Sequence, residues 1–266
     1  MTRIQPTPNG VGAGGGLDQY QGAAPDTAQR LPNRGASPSG VVSWLPLGAP
    51  SAVLGRAGER RSVVRHQETH VSDSLETLKT ELEHFGEAND GSTEERPRRM
   101  LNITRDTGEF LSVVVRATVA RRVLEIGTSN GYSTLWLAEA ARATGGAVTT
   151  VEFSEYKVGL ASLNFARSGL ASFITLVHGD AGRLLQRSEQ SAFDFIFLDS
   201  ERSEYPGWWP QLHRVLRPGG LLVVDNAISH VEQMAPFVAL VRADPLFATS
   251  LVSVGNGEFL AVKASS

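Results

Sequence analysis

The sequence predicts a doubly wound α/β fold: a seven-stranded, mostly parallel sheet with an antiparallel C-terminal strand and helices on both faces. Three observations carry this. After Arg121, short apolar runs alternate with helix-period segments. The runs are almost continuously apolar, as in parallel strands covered on both faces. The chain then closes on two strand-like segments around "GNG", a hairpin signal.

Taken in order, residues 1–60 hold 11 Gly and 7 Pro and no Lys. Such a stretch pays too much entropy to pack, so residues 1–70 are expected to be a disordered tail ahead of a single domain, 71–266. Order is expected to begin near Ser72, with Asp73 and Glu76 as a capping box. Leu75, Leu78, Leu82 and Phe85 then recur at helical spacing, and Gly86 is expected to end that helix. "NDGSTEERP" reads as a loop. A second helix is expected over Asp106–Ala120, with Phe110, Leu111, Val114 and Val115 on its apolar face. Together, 71–120 form an N-terminal helical part and 121–266 the sheet-bearing core. Strands are expected at "RVLEIG", "AVTTVEF", "FITLVHG", "FDFIFLD" and "GLLVVDN", followed by "SLVSV" and "EFLAVKA" in the hairpin. Helices are expected from Ser133, Ser154, Ala181 and Trp208.

Composition bounds the function. The formal net charge is -3, with 41% hydrophobic and 20% charged residues, so a real core is expected. Residues 1–70 carry seven arginines and four acids, and the rest is acidic, which argues against a nucleic-acid partner. No apolar run approaches the ~20 residues of a membrane span. There is no cysteine, hence no thiolate metal site, and the expected location is a reducing cytoplasm.

The stretch "VLEIGTSNGYSTLWLA" turns from a strand into a helix through Gly127 and Gly131. Glycine permits a sharp turn and a close ligand approach, and ligands of such sheets bind at the carboxyl ends of the strands. Glu152, ending "TTVEF", can accept both hydroxyls of a ribose. The dinucleotide fingerprint GxGxxG is broken by Ser129, so a nucleoside without phosphates, such as S-adenosylmethionine, fits better. Asp180 in "HGDA" is where a carboxylate could take the adenine amino group. Three hard oxygen donors close later strands: Asp199, then Asp225 with Asn226. Two carboxylates and an amide suit Mg²⁺, Mn²⁺ or Ca²⁺.

These segments, with "ITRDTGEFL", "FDFIFLDSERSEY" and "GGLLVVDN", resemble the class I S-adenosylmethionine-dependent methyltransferases with their Rossmann-like sheet. Within them the chain is similar to the cation-dependent O-methyltransferase family that includes catechol and caffeoyl-coenzyme A O-methyltransferases. The resemblance covers about residues 98–264. It implies a cofactor site built from Ile103, Thr104, Glu125, Gly127, Thr128, Ser129, Gly131, Tyr132, Ser133, Glu152, Phe153, Gly179, Asp180, Ala181 and Asp199. Ile103 and Thr104 are implied as a lid acting through backbone. It implies metal ligation by Asp199, Asp225 and Asn226, and a small hydroxylated acceptor. Where the family carries a lysine assigned as general base, this chain has Arg202, which cannot lose its proton. Glu201 and His230 are substitutes by proximity, or the metal alone suffices. Arg202 could still steer an anionic acceptor. Trp208 and Trp209 read as packing ahead of an acceptor wall, His213 as a helix-face residue and Tyr205 as structural. A metal-independent methyltransferase and a non-catalytic cofactor-binding module stay open, as does a homodimer.

Overall fold

The computed structural model describes the backbone of residues 57–265 and the side chains of residues 74–265. Most of the expected tail, residues 1–56, lies outside the described residues. Helix α1 runs Ala57–Ser92, α2 Arg105–Ala117, α3 Tyr132–Ala143, α4 Glu155–Ser168, α5 Ala181–Arg187, α6 Tyr205–Val215 and α7 Val231–Ala243. The strands are β1 Arg122–Ile126, β2 Ala147–Glu152, β3 Ile174–His178, β4 Phe193–Leu198, β5 Leu216–Val224, β6 Phe247–Val252 and β7 Glu258–Lys263. They form one sheet in the order β3-β2-β1-β4-β5-β7-β6. The first five are parallel, and β7 is antiparallel to both β5 and β6. The predicted fold is the observed one.

Two apolar layers cover the sheet. One packs Leu75, Leu78 and Leu82 of α1, Leu111 and Val115 of α2 and most of α3 against Val123, Phe195 and Val223. The other packs α5, α6 and α7 against Leu124, Ile196, Leu222 and Val224. Alternate residues of one strand thus serve opposite layers, and this two-sided burial is why the strands read as unbroken apolar runs.

Helix α1 corrects three expectations. It starts at Ala57, so Asp73 and Glu76 lie within the helix and not at its start. It also runs through Gly86 to Ser92 and absorbs the first residues of the expected loop. Gly86 is there for a contact: a Cβ would come within 2.5 Å of Asn102 Nδ2, which donates to the Leu82 carbonyl at 2.9 Å. The helix loses one Cβ so that the α1–α2 connection can pack on it. Phe85 is 42% exposed and leaves the apolar face that the leucines keep. Further on, α6 begins at Tyr205 with Pro206 in its first turn, ahead of Trp208. Strand β5 begins at Leu216, before the glycines, with a register shift at Phe193/Phe195 absorbing the irregularity.

Candidate functional site

Strand register builds the site. Ile126 pairs with Leu198, and Leu198 with Val224. Gly127, Asp199 and Asp225 are therefore each the first residue past the end of neighbouring strands β1, β4 and β5. This lies beside the point where the strand order reverses, where ligands of such sheets bind. Adjacent strands stand about 4.8 Å apart. Gly127 has φ +105°, and a Cβ there would lie 2.0 Å from the Asp199 carbonyl oxygen. Only glycine lets the two strand ends close up in this way.

The turn after β1 is then pinned from three sides. Ser129, at φ 49°, donates its N–H to Glu152 Oε2 at 2.8 Å. Its hydroxyl donates to the Met100 carbonyl at 2.6 Å. That draws the Met100–Thr104 segment over the turn, where Asp90 of α1 also accepts from the Met100 and Leu101 N–H groups at 2.6 and 2.7 Å. Gly131, at φ +92°, faces the ring of Phe165, which a Cβ would meet at 2.5 Å. Glu152 accepts from Ser129 and, through Oε1, from the Ser154 N–H at 2.9 Å. Half-buried at the end of β2, it keeps acceptor capacity on a fixed carboxylate. Phe153, beside it, is 78% exposed.

The strand ends of β4 and β5 concentrate negative charge. Asp225 is 3% exposed, and its Oδ1 accepts from the Asn226 N–H at 2.6 Å. Asp199 keeps part of its surface open, and its Oδ1 accepts from Asn226 Nδ2 at 3.2 Å. Burial first, then the charges of Asp225 and Glu125, push the Asp199 carboxyl well above its ordinary range. Arg202 and Lys157 only partly offset this. Glu258, wholly buried at the start of β7, touches Asp225 and accepts from Thr107 of α2 at 3.1 Å. Burial and the neighbouring Asp225 push it up to about 9. Among the described residues no three carboxylate or imidazole groups converge as a metal cluster, so the amide of Asn226 is needed to complete a donor set. Two crowded carboxylates fit a dication such as Mg²⁺, and the Asn226 amide, which here turns its Nδ2 to Asp199, supplies a third hard oxygen once it is flipped.

A family model described as O-methyltransferase matches residues 76–264. The chain belongs to the O-methyltransferase family. It is 36% identical over 134 residues to a catechol O-methyltransferase of Mycobacterium tuberculosis, covering 50% of this chain and 60% of that one. It is 34% identical over 131 residues to one of Niastella koreensis, covering 48% and 59%. The match spans about six tenths of each of these two relatives. Among solved structures it resembles an O-methyltransferase of Bacillus cereus in complex with S-adenosylhomocysteine. The identity is 28%, the TM-score 0.59, and the match covers 73% of this chain and 96% of that one. A second is the O-methyltransferase TomG of Streptomyces achromogenes in complex with S-adenosylmethionine, at 26% identity and TM-score 0.55, covering 62% and 82%.

Seen as a member of that family, the chain brings most of its sequence-predicted site residues to the carboxyl ends of neighbouring strands, but several side chains face away from them. Glu125 is wholly buried: Oε1 accepts from Ser133 at 2.6 Å, and Oε2 accepts from Thr150 at 2.6 Å and from Thr134. Burial pushes it up to about 7 despite the three donors. Thr128 is buried too and shares a hydrogen bond with Thr150 at 2.5 Å. Tyr132 is 1% exposed and stacks edge-on against Trp136. These four, Glu125, Thr128, Tyr132 and Ser133, stiffen the turn from within; only their backbone is left to meet a ligand. Ile103 likewise sinks into the core, and Thr104 caps α2, its hydroxyl accepting from the Thr107 N–H at 3.4 Å.

Asp180 is exposed and caps α5, accepting from the Arg183 N–H at 2.8 Å, with Gly179 and Ala181 on either side. Trp208 reaches back to this end, since a Cβ on Gly182 would meet both its Nε1 and Asp180 Oδ1. Trp209 packs against His213, Phe237 and Phe247, and His213 pairs with Asp244 at 3.5 Å, both away from the strand ends. Tyr205 is structural: buried, it accepts from the Ser200 N–H at 2.7 Å. His230 caps α7 within reach of the Asp225–Asn226 loop, its N–H donating to the Asn226 carbonyl at 3.0 Å. Burial, then Arg202 and Arg96, hold its imidazole below the ordinary range.

Three residues escaped sequence reasoning. Glu258 was legible only as a lone acid opening an apolar strand. Lys157, half-buried on α4, feels the charges of Glu152, Asp199 and Asp90. Asp90 holds the Met100–Leu101 backbone from a helix whose extension to Ser92 the sequence did not indicate.

Proposed function

We propose that this chain moves a methyl group from S-adenosylmethionine to a hydroxyl of a small aromatic vicinal diol, with a divalent cation held by Asp199, Asp225 and Asn226. One observation carries the reading. The glycine turn, the fixed Glu152 carboxylate and the crowded Asp199–Asp225–Asn226 set open onto one row of strand ends. The names of the mycobacterial and Niastella relatives support the catechol-type acceptor, and the ligands of the Bacillus and Streptomyces structures support the cofactor.

Glu152 accepts the ribose hydroxyls, its geometry set in advance by the Ser129 and Ser154 N–H groups. The Gly127 turn lets backbone approach the bound nucleoside. When bound, the dication supplies the positive charge that makes a phenol acidic near neutral pH. Asp199, Asp225 and Asn226 hold it, and Glu258 fixes Asp225 from behind. Arg202, a guanidinium, serves as a positive charge and hydrogen-bond donor and not as a base. His230, its pKa held below the ordinary range, is neutral at pH 7 and can accept the phenolic proton at a ring nitrogen.

Arg202, standing where the resemblance to the cation-dependent family implies a lysine, favours a second reading, a methyltransferase that works without metal on another acceptor. Methyl transfer to catechol, followed in Mg²⁺ and in EDTA, separates the two. Turnover that needs Mg²⁺ supports the first. Equal turnover in EDTA would contradict it.

A further inference from the structure

Two arginines from different elements act on the groups at the strand ends. Arg96 opens the 3-10 turn between α1 and α2, and Arg202 opens the one after β4. Arg96 Nη2 lies 3.9 Å from Glu201 Oε2, which brings the α1–α2 connection against the segment that follows Asp199. Both partners of that loose pair are more than half exposed, so the contact is weak and exchangeable. Arg202 Nε donates to Gln233 Oε1 at 2.8 Å, a neutral partner that leaves its charge whole. The charges of both guanidinium groups act on His230, and that of Arg202 also acts on Asp199 and Asp225. Lys157, half-buried on α4, feels the charges of Glu152, Asp199 and Asp90, and then that of Arg96. With a dication offsetting Asp199 and Asp225, Arg96 keeps the loose Glu201 pair and Arg202 its neutral partner, so both can take up an incoming anion.

Resting on the O-methyl transfer reading, we propose that the acceptor carries a carboxylate beside its hydroxyls and that Arg96 and Arg202 bind it, the carboxylate displacing Glu201 from Arg96. Guanidinium groups pair with carboxylates in a fixed, two-pronged geometry, so two of them select for charge and position together.

Three probes of one size differ only in charge: 3,4-dihydroxybenzoate, 3,4-dihydroxybenzyl alcohol and 3,4-dihydroxybenzylamine. Calorimetry on the full chain with S-adenosylhomocysteine and Mg²⁺ reads binding apart from turnover. The acid is expected to bind about tenfold tighter than the amine at low salt, and less so as salt rises. Arg96→Gln with Arg202→Gln is expected to bring that ratio toward one, while Arg96→Lys with Arg202→Lys keeps it above one. Equal binding of acid and amine, or a preference that survives the double glutamine variant, would overturn the inference. Methyl transfer to the same probes reports on the parent reading separately: acid preference in binding with no turnover of any probe would leave this inference standing and remove the other.

Discussion

Asn226 Nδ2 donates to Asp199 Oδ1 across 3.2 Å and so ties the end of β5 to the end of β4. Asn226 holds φ 67°, a left-handed conformation that asparagine tolerates better than most residues. The hairpin tip holds the same loop, for the Ala227 and Ile228 N–H groups donate to the Gly257 and Asn256 carbonyls at 2.8 and 3.1 Å. The donor set is thus fixed by three strands, and its chemistry can be changed one residue at a time without dismantling the sheet.

Glu152→Gln is expected to weaken S-adenosylmethionine binding by roughly 30–150-fold, the worth of about 2–3 kcal/mol for a charge-assisted pair. The amide also gives up one of the two N–H groups that the carboxylate accepts, so a modest fall in melting temperature accompanies it. Calorimetric titration with the cofactor checks this. Unchanged affinity would move the ribose elsewhere.

Gly127→Ala is expected to lower stability by about 1–3 kcal/mol and to cripple cofactor binding, because φ +105° is costly for alanine and its Cβ would sit on the Asp199 carbonyl. Urea unfolding measures the first effect and calorimetry the second. A variant as stable as the parent would mean that the β1 and β4 ends have room that the geometry denies.

Glu125 gives a pH signature. In the folded chain its carboxyl keeps its proton up to about 7, against an ordinary value of 4.5. Between those two values the folded state binds more protons than the unfolded one, so stability falls as pH rises and levels off above about 7. The span is worth on the order of 3 kcal/mol. Glu125→Gln has no such titration and is expected to gain stability relative to the parent between pH 5 and pH 8. Urea midpoints across that range, taken in EDTA, check it; parallel profiles would count against a proton held at Glu125.

The sheet was legible because strands buried on both faces leave no polar residues to interrupt them, and the clustering of Asp199, Asp225 and Asn226 was legible because these residues close those strands. Helix α1 was not, because Gly86 looks like a stop until Asn102 is seen packed against it, and Asp73 with Glu76 look like a cap until the helix is seen to run through them. The inward turn of Glu125, Thr128 and Ser133 depends on Thr150, which comes from the neighbouring strand and has no local trace. Asp180 carries the same residue type as Asp199 and Asp225 but sits at a helix start, where capping takes one of its oxygens.

Arg202→Lys is expected to retain or raise turnover, since lysine keeps the charge and adds a group that can titrate, whereas Arg202→Ala should lower turnover less than loss of a ligand carboxylate does. The pH–rate profile of the lysine variant reports on this: a new basic limb is expected, and an abolished rate would assign the guanidinium a direct role.

The central claim is that chemistry depends on the donor set while cofactor binding depends on the β1 and β2 ends. The most direct measurement is the Asp225→Ala variant in saturating Mg²⁺, with methyl transfer to a catechol and S-adenosylhomocysteine affinity determined on the same preparation. Turnover is expected to fall by at least about a thousandfold, in line with removing a group central to catalysis, with affinity within about threefold of the parent. Near-parental turnover, unaffected by EDTA, would contradict the account.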